Sequence, residues 1–332
     1  MKSPFTGGEV ELKVERETLE FRDEEFTIPY NYYVCKDTGK EFTTDRIEEL
    51  NETTLYNRYR EKHKIPFPDQ IKSIREKYNL SQTKMAEVLG FGVNTYRNYE
   101  KGGIPIASNA NLIRTAENPH EFKKLLSYCE ALSEKEKEKI EKKIESVIEL
   151  DTDNEEKLIK YFILNNHVEP NIFTGYRATN FEKLFNAILF FAQRENLFKT
   201  RLNKLLFYSD FKCFKNEGFS ITGMNYAAIP LGPVPNYFDI LYSIASKKGF
   251  IDIEYHDFGD KTGEKYKPHP SRDFEAEFFS DIEIKYLEKV HENFKGIKTK
   301  ELIKISHEEK GWLDRNEKKD LIEYDYAFEL KN

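Results

Sequence analysis

Apolar positions recur through most of this chain at the three- and four-residue spacing of helices buried along one side. Ile71, Ile74 and Tyr78 share one face of residues 69–79. Ser81 then stands as an N-cap before Met85, Ala86 and Leu89, and Gly90 supplies a left-handed stop. A third short helix is expected over 93–101, closed by Gly102-Gly103. It would turn Val93, Tyr96 and Tyr99 inward and Asn94, Thr95, Arg97, Asn98 and Lys101 outward. Ser108 opens another helix through Thr115. Asn118-Pro119-His120-Glu121 joins a cap, a proline at the first helical position and a glutamate at the third. The bundle ends near Cys129, read as a small buried hydrophobe. Over 133–148 a Ser133/Glu136 capping box precedes a charged helix with a thin stripe of Ile140, Ile144, Val147 and Ile148. That stripe either pairs with a sister helix in a dimer or docks on its own chain.

The ends of the chain differ from this middle. Val10–Val14 and Ile28–Cys35 alternate like strands, bounded by Gly7-Gly8 and Asp37-Thr38-Gly39, with one helix near 44–61. Toward the C-terminus, Asn180 caps a helix with Phe181, Leu184, Phe185, Ile188, Leu189 and Ala192 on a broad apolar face. Thr200 opens a second, broken by Gly218, in which Leu202, Leu205, Leu206 and Ser209 face the core. A strand over Ile221–Ile229 runs into Pro230–Pro235, which reads as irregular because prolines remove ladder donors. A helix over 237–247 and a strand over 250–255, paired with 264–267, follow. Asp281 and Thr299 cap two last helices. The expected fold class is mainly α and multidomain (α+β): a small β-rich N-terminal module, a helical helix-turn-helix bundle, and a helical C-terminal domain with a small β element. The expected domains are residues 1–64, 65–129, a charged helical linker over 130–160, and 161–332.

Charge changes the picture for the middle segment. The whole chain has a net charge of −7, which argues against a nucleic-acid partner if evenly spread. Residues 56–128, however, hold 13 basic and 7 acidic side chains, while residues 1–55 hold 7 and 14. A local basic field is what a phosphate backbone responds to, since distant charges are screened within about 10 Å at 0.1 M salt. Two short helices joined by a glycine turn, the second with Asn and Arg on its outer face, are the geometry of a helix-turn-helix. Three scattered cysteines, Cys35, Cys129 and Cys213, exclude a disulfide framework and set a reducing, cytoplasmic expectation. No apolar run approaches the roughly 20 residues that span a bilayer, so no membrane partner is expected. Phosphate loops, dinucleotide fingerprints, serine elbows and His-x-x-x-His pairs are all absent from the sequence, and Cys213 has no evident base. No enzymatic activity, cofactor or metal is expected.

Three resemblances attach families to these segments. Leu80-Ser-Gln-Thr-Lys-Met-Ala-Glu-Val-Leu-Gly90 resembles the Xre/Cro-type helix-turn-helix, and Phe91 to Gly102 resembles antitoxins of the MqsA family. That family reads bases with an Asn, matching Asn94, and an Arg four residues on, where this chain has Asn98 with Arg97 beside it. The operator sequence therefore does not carry over. From the exposed faces the candidate DNA contacts are Gln82, Lys84, Asn94, Thr95, Arg97, Asn98 and Lys101. Proteins of the MqsA family bind zinc in this region through two Cys-x-x-Cys pairs, and the matching positions here are Ser3 and Thr6, then Cys35 and Thr38. One thiol with three hydroxyls does not make a structural zinc site, so a metal-free relative is expected. Residues 201–211 (Arg-Leu-Asn-Lys-Leu-Leu-Phe-Tyr-Ser-Asp-Phe) and 223–235 (Gly-Met-Asn-Tyr-Ala-Ala-Ile-Pro-Leu-Gly-Pro-Val-Pro) resemble the SocA-type, or Panacea, antitoxin domain. That resemblance implies a cognate toxin, encoded by an adjacent gene, as protein partner, beside operator DNA. A homodimer is compatible with both. The candidate partner-binding residues are Lys204, Tyr208, Asp210, Asn225, Pro230, Gly232, Pro233, Asn236 and Tyr237. Lys204, Tyr208 and Asp210 form either a polar ridge or a buried hydrogen-bonded network. The expectation is an antitoxin that neutralises its toxin and represses its own operon. A regulator of a prophage or mobile element, or an adaptor delivering a partner to a protease, are the alternatives.

Overall fold

In the computed structural model, which describes residues 1–150, 169–259 and 262–331, the chain is mainly helical with small sheets and forms two compact units. One comprises Met1–Glu15, Pro29–Leu50 and Glu169–Asn332, the other Arg16–Ile28 and Asn51–Val168. Residues 1–64 are therefore divided between the two. The last part of the expected linker and the first residues of the expected C-terminal domain, 151–168, lie outside the described residues.

Near the N-terminus, β1 (Val10–Phe21) and β2 (Glu24–Cys35) are hydrogen-bonded neighbours and β3 (Glu41–Phe42) adds to β2 antiparallel. Both strands run further than the alternation predicts, because Arg22-Asp23 closes a two-residue turn. Its φ angles of 53° and 62° give the mirror-image turn that suits strand twist. Helix α1 (Asp45–His63) follows, acidic in its first turn and basic in its last.

The second unit is built on α2 (Pro68–Lys77), α3 (Gln82–Val88), α4 (Thr95–Glu100), α5 (Ala107–Glu117), α6 (Pro119–Ser127) and α7 (Glu134–Leu150). The Ser81 side chain accepts from Lys84 N, and Asn118 accepts from the amides of His120 and Glu121, as the caps predict. Ile71, Ile74, Met85, Tyr96, Ile113 and Phe122 form one core. Tyr78 stacks on Phe122 with ring centroids 4.1 Å apart. Ile140 and Ile144 of α7 join the same cluster and Ile148 packs partly buried against it, so the stripe docks on its own chain.

The C-terminal part of the first unit surrounds a single helix. In order come α8 (Phe181–Ala192), β4 (Leu197–Phe198), α9 (Lys199–Glu217), β5 (Tyr226–Ile229), β6 (Gly232–Pro235), α10 (Phe238–Lys247), β7 (Ile251–Asp257), β8 (Thr262–Pro268), α11 (Asp281–Phe294), α12 (Thr299–His307) and α13 (Lys310–Arg315). Every residue of α9 from Arg201 to Phe214 is buried. The sheets are β4-β8-β7 and the pair β5-β6.

Here the structure departs from expectation at the proline run. Gly232–Pro235 is a strand, in register Tyr226↔Pro235 to Ile229↔Gly232. Asn236 N donates to Asn225 O (2.7 Å), continuing the alternation in which residues 232, 234 and 236 face β5. Pro233 and Pro235 fall on the outward positions, where no ladder donor is required. Cap positions also shift by one residue: Ser280, with Glu283 in a capping box, caps α11 in place of Asp281, and Lys298 precedes α12.

Candidate functional site

In the second unit, α3 and α4 meet through the Gly90–Asn94 turn, with Gly90 at φ 69°. Tyr96, on the inner side of α4, is fully buried and donates from its hydroxyl to Ile71 O (2.6 Å). Glu100, at the end of α4, is gripped by Arg75 of α2 (Nε to Oε1 2.6 Å, Nη2 to Oε2 3.2 Å) and by Gln82 of α3. One buried carboxylate thus fixes the mutual orientation of three helices. Asn94, Arg97, Asn98 and Lys101 are exposed and Thr95 is half-buried, so α4 presents the face its pattern predicts. Gln82 is turned to Glu100, and Lys84 is paired with Glu87 and Glu136 at 2.9 Å each, which holds its ammonium above its ordinary pKa. Both have donors committed within the unit. Val93 overturns the inward expectation: it is 70% exposed, just before α4. It follows Gly92 in the turn rather than continuing the helical face that carries Tyr96.

In the first unit, the polar residues of α9 form a buried network, which decides between the two readings of Lys204, Tyr208 and Asp210. Asp210 accepts from Ile221 N (2.8 Å), Thr222 N (2.8 Å), Thr222 Oγ1 (2.6 Å) and Tyr226 Oη (2.7 Å). Burial pushes its carboxyl up, opposed by those four donors. Tyr208 Oη donates to Glu309 Oε1 (3.0 Å), and desolvation raises its phenol. Lys204 donates to Pro233 O (2.8 Å), and burial pulls its ammonium down to about 7. Gly232, at φ 96°, lies against this lysine. A Cβ there would fall within 2.8 Å of Lys204 Nζ and closer still to Ser306 Oγ, so only glycine fits. Asn225 and Pro233 are buried as well. None of these six has surface to offer a partner in this fold.

The remaining three partner candidates are different. Pro230 and Tyr237 are exposed and Asn236 half-exposed, at the two ends of the β5-β6 hairpin. At the turn, Trp312 Nε1 donates to Ile229 O (2.7 Å), and the His307 ring stacks on Trp312 with centroids 3.9 Å apart. Leu231 is 54% exposed on this anchored turn. Neither Leu231 nor the aromatic residues behind it are among the sequence candidates; an apolar residue set between Pro230 and Gly232 is the one available signal. Tyr237 holds φ 59°, a left-handed conformation unusual for a bulky residue.

The N-terminal turns Ser3–Gly7 and Cys35–Gly39 share one geometry. Gly7 N donates to Ser3 O (2.9 Å) and Gly39 N to Cys35 O (2.8 Å). They bring Ser3, Thr6 and Thr38 around the buried Cys35 thiol, with Thr6 Oγ1 at 3.6 Å from Sγ. Hydrogen bonds from Ser3 and Thr38 outweigh desolvation and lower the thiol to about 6. Three neutral hydroxyls do not fit zinc, and among the described residues no group of metal-binding side chains converges.

Comparison with known families places labels on two of these regions. Residues 202–313 match the family model described as antitoxin SocA-like, Panacea domain. Residues 71–117 match the helix-turn-helix model. No curated protein and no solved structure matches the chain. The SocA-like match thus runs from α9 to α13 and includes the residues buried around Asp210 and Lys204. The helix-turn-helix domain spans α2 to α5. No helix among the described residues is long and apolar enough to cross a membrane.

Two outcomes test the SocA-like core. Asp210→Asn replaces one carboxylate oxygen by an amide donor facing two donors, the Thr222 and Tyr226 hydroxyls if its oxygen stays on the backbone amides. It should cost about 3 kcal/mol in denaturant unfolding. Lys204 yields a pH signature. Above pH 7 the folded lysine has lost a proton that the unfolded chain keeps, so unfolding takes one up. Stability should therefore rise with pH from about 7 toward 10.5, by at most about 1.4 kcal/mol per unit, and Lys204→Met should flatten that rise.

Proposed function

We propose that this chain is an antitoxin: its SocA-like domain binds and neutralises a toxin protein encoded by an adjacent gene, and its helix-turn-helix represses their shared operon. The observation that carries this reading is the presence of both family matches, 71–117 and 202–313, in one chain. On the DNA side, Asn94 and Asn98 suit adenine edges and Arg97 and Lys101 suit phosphate or guanine. Exposed Val93 suits the one apolar feature of the major groove, the thymine methyl. On the protein side, we assign contact to Pro230, Leu231, Asn236 and Tyr237. The anchored Ile229 carbonyl beside the turn lowers the entropy cost of presenting it. Lys204, Tyr208, Asp210, Asn225, Gly232 and Pro233 support that surface from below. We read the N-terminal turns around Cys35 as a metal-free relative of an MqsA-type zinc module. No enzymatic role, cofactor or membrane is assigned, and a cytoplasmic location follows from DNA as a partner. Cys213 is fully buried with its thiol pushed up by desolvation, the opposite of an activated nucleophile.

Co-expression tests the reading. The adjacent gene product alone should arrest growth, and this chain should restore it. A neighbour that is harmless alone, or that is not bound by the chain, contradicts the proposal. The Asn94→Ala/Arg97→Ala variant should lose promoter binding in gel shift by about a hundredfold while still restoring growth; loss of both would contradict the division of labour. Leu231→Asp should show the converse, with rescue lost and promoter binding kept.

A further inference from the structure

The recognition helix α4 is followed by Gly102-Gly103-Ile104-Pro105, and all four carbonyls are held by two arginines. Arg60, from the second half of α1, is fully buried and donates from Nη2 to Gly102 O and to Gly103 O (3.5 Å). Arg22, in the β1–β2 turn, donates to Ile104 O (3.2 Å) and Pro105 O (3.5 Å). Beneath them Phe21 packs on Tyr56 and Tyr59 at 5.0 Å each, and the Arg22 guanidinium lies 5.2 Å from the Tyr59 ring centre. All these residues belong to the second unit. Burying a guanidinium is costly unless its donors are used. Arg60 uses Nη1 on Asn57 Oδ1 (3.1 Å) and Nη2 on the carbonyls just past the end of α4, where the helix dipole is negative. Neither arginine lies in the helix-turn-helix match at 71–117.

We propose that the hairpin tip and the second half of α1 form a brace that holds the recognition helix in its reading pose, with Arg22 and Arg60 as positioning residues. The physical logic is simple. The first two residues leaving α4 are glycines, the first at φ 108°, so the chain has little conformational preference of its own before Ile104-Pro105 restricts it. Four carbonyl anchors replace that missing preference. Base readout needs side chains placed to within tenths of an ångström, whereas phosphate attraction tolerates looseness. Losing the brace should thus reduce discrimination more than overall attraction.

The inference rests on the DNA-binding reading, and the experiment separates the two. The probe is a 20-base-pair duplex selected by the full-length wild-type chain from a random library, with an unrelated duplex of equal length as reference. Arg22→Ala, at an exposed turn, should keep its melting temperature and lose roughly tenfold in affinity for the selected duplex. Binding to the unrelated duplex and the salt dependence should not change. Arg60→Lys, which keeps the charge but cannot span two carbonyls, should lose affinity in the same way, with faster amide exchange over 93–103. If both variants keep the wild-type ratio of selected to unrelated binding, the brace is wrong and the DNA reading stands. If the wild type enriches no duplex, the DNA reading falls and the brace with it. Should Arg60→Lys fail to fold, Arg22→Ala alone decides.

Discussion

The larger unit depends on one buried carboxylate. Asp210 sits at the middle of α9 and gathers two backbone amides, a threonine hydroxyl and a tyrosine hydroxyl from residues 221–226. A carboxylate deprived of water is tolerable only with such a complete set of donors. The set therefore dictates where the chain after α9 must turn back. That turn starts β5, β5 pairs with β6, and β6 packs on Lys204 of the same helix. Glu309, accepting from Tyr208, ties α13 to α9 by the same principle. Charged and polar side chains that would ordinarily mark a surface are here the means by which distant segments find one helix.

This bears on how the family resemblance should be understood. Lys204, Tyr208 and Asp210, all buried, fall inside the SocA-like match at 202–313. Exposed side chains, Leu231 and Tyr237 among them, stand at the ends of the hairpin that the core supports. The helix-turn-helix follows the same division: Arg75, Glu100, Gln82 and Tyr96 build the frame, and Val93, Asn94, Arg97 and Asn98 stand outside it.

Much of this was legible in the sequence. The helices of the DNA-binding unit, with Ser81 and Asn118 as caps and Gly90 as a stop, follow from local chemistry alone. The inward face of α7 likewise follows from Ile140 and Ile144. What escaped depends on contacts distant along the chain. Helix α9 is covered on every side, so periodicity could not say whether Lys204 and Asp210 faced water or Pro233 and Tyr226. The strand character of Gly232–Pro235 required knowing that its prolines point away from β5. Val93 was misplaced because the helical period was extended one residue into a turn. Arg22 and Arg60 carried no local signal, since their acceptors lie about 80 and 42 positions later.

The central claim is that the hairpin ends meet the partner while the buried core only supports them. Hydrogen exchange of the full chain, with and without the product of the adjacent gene, tests this most directly. The account predicts new protection across 230–240 on binding, with α9 amides at 203–214 already protected and unchanged. Protection confined to other surfaces, or α9 amides that open on binding, would contradict it.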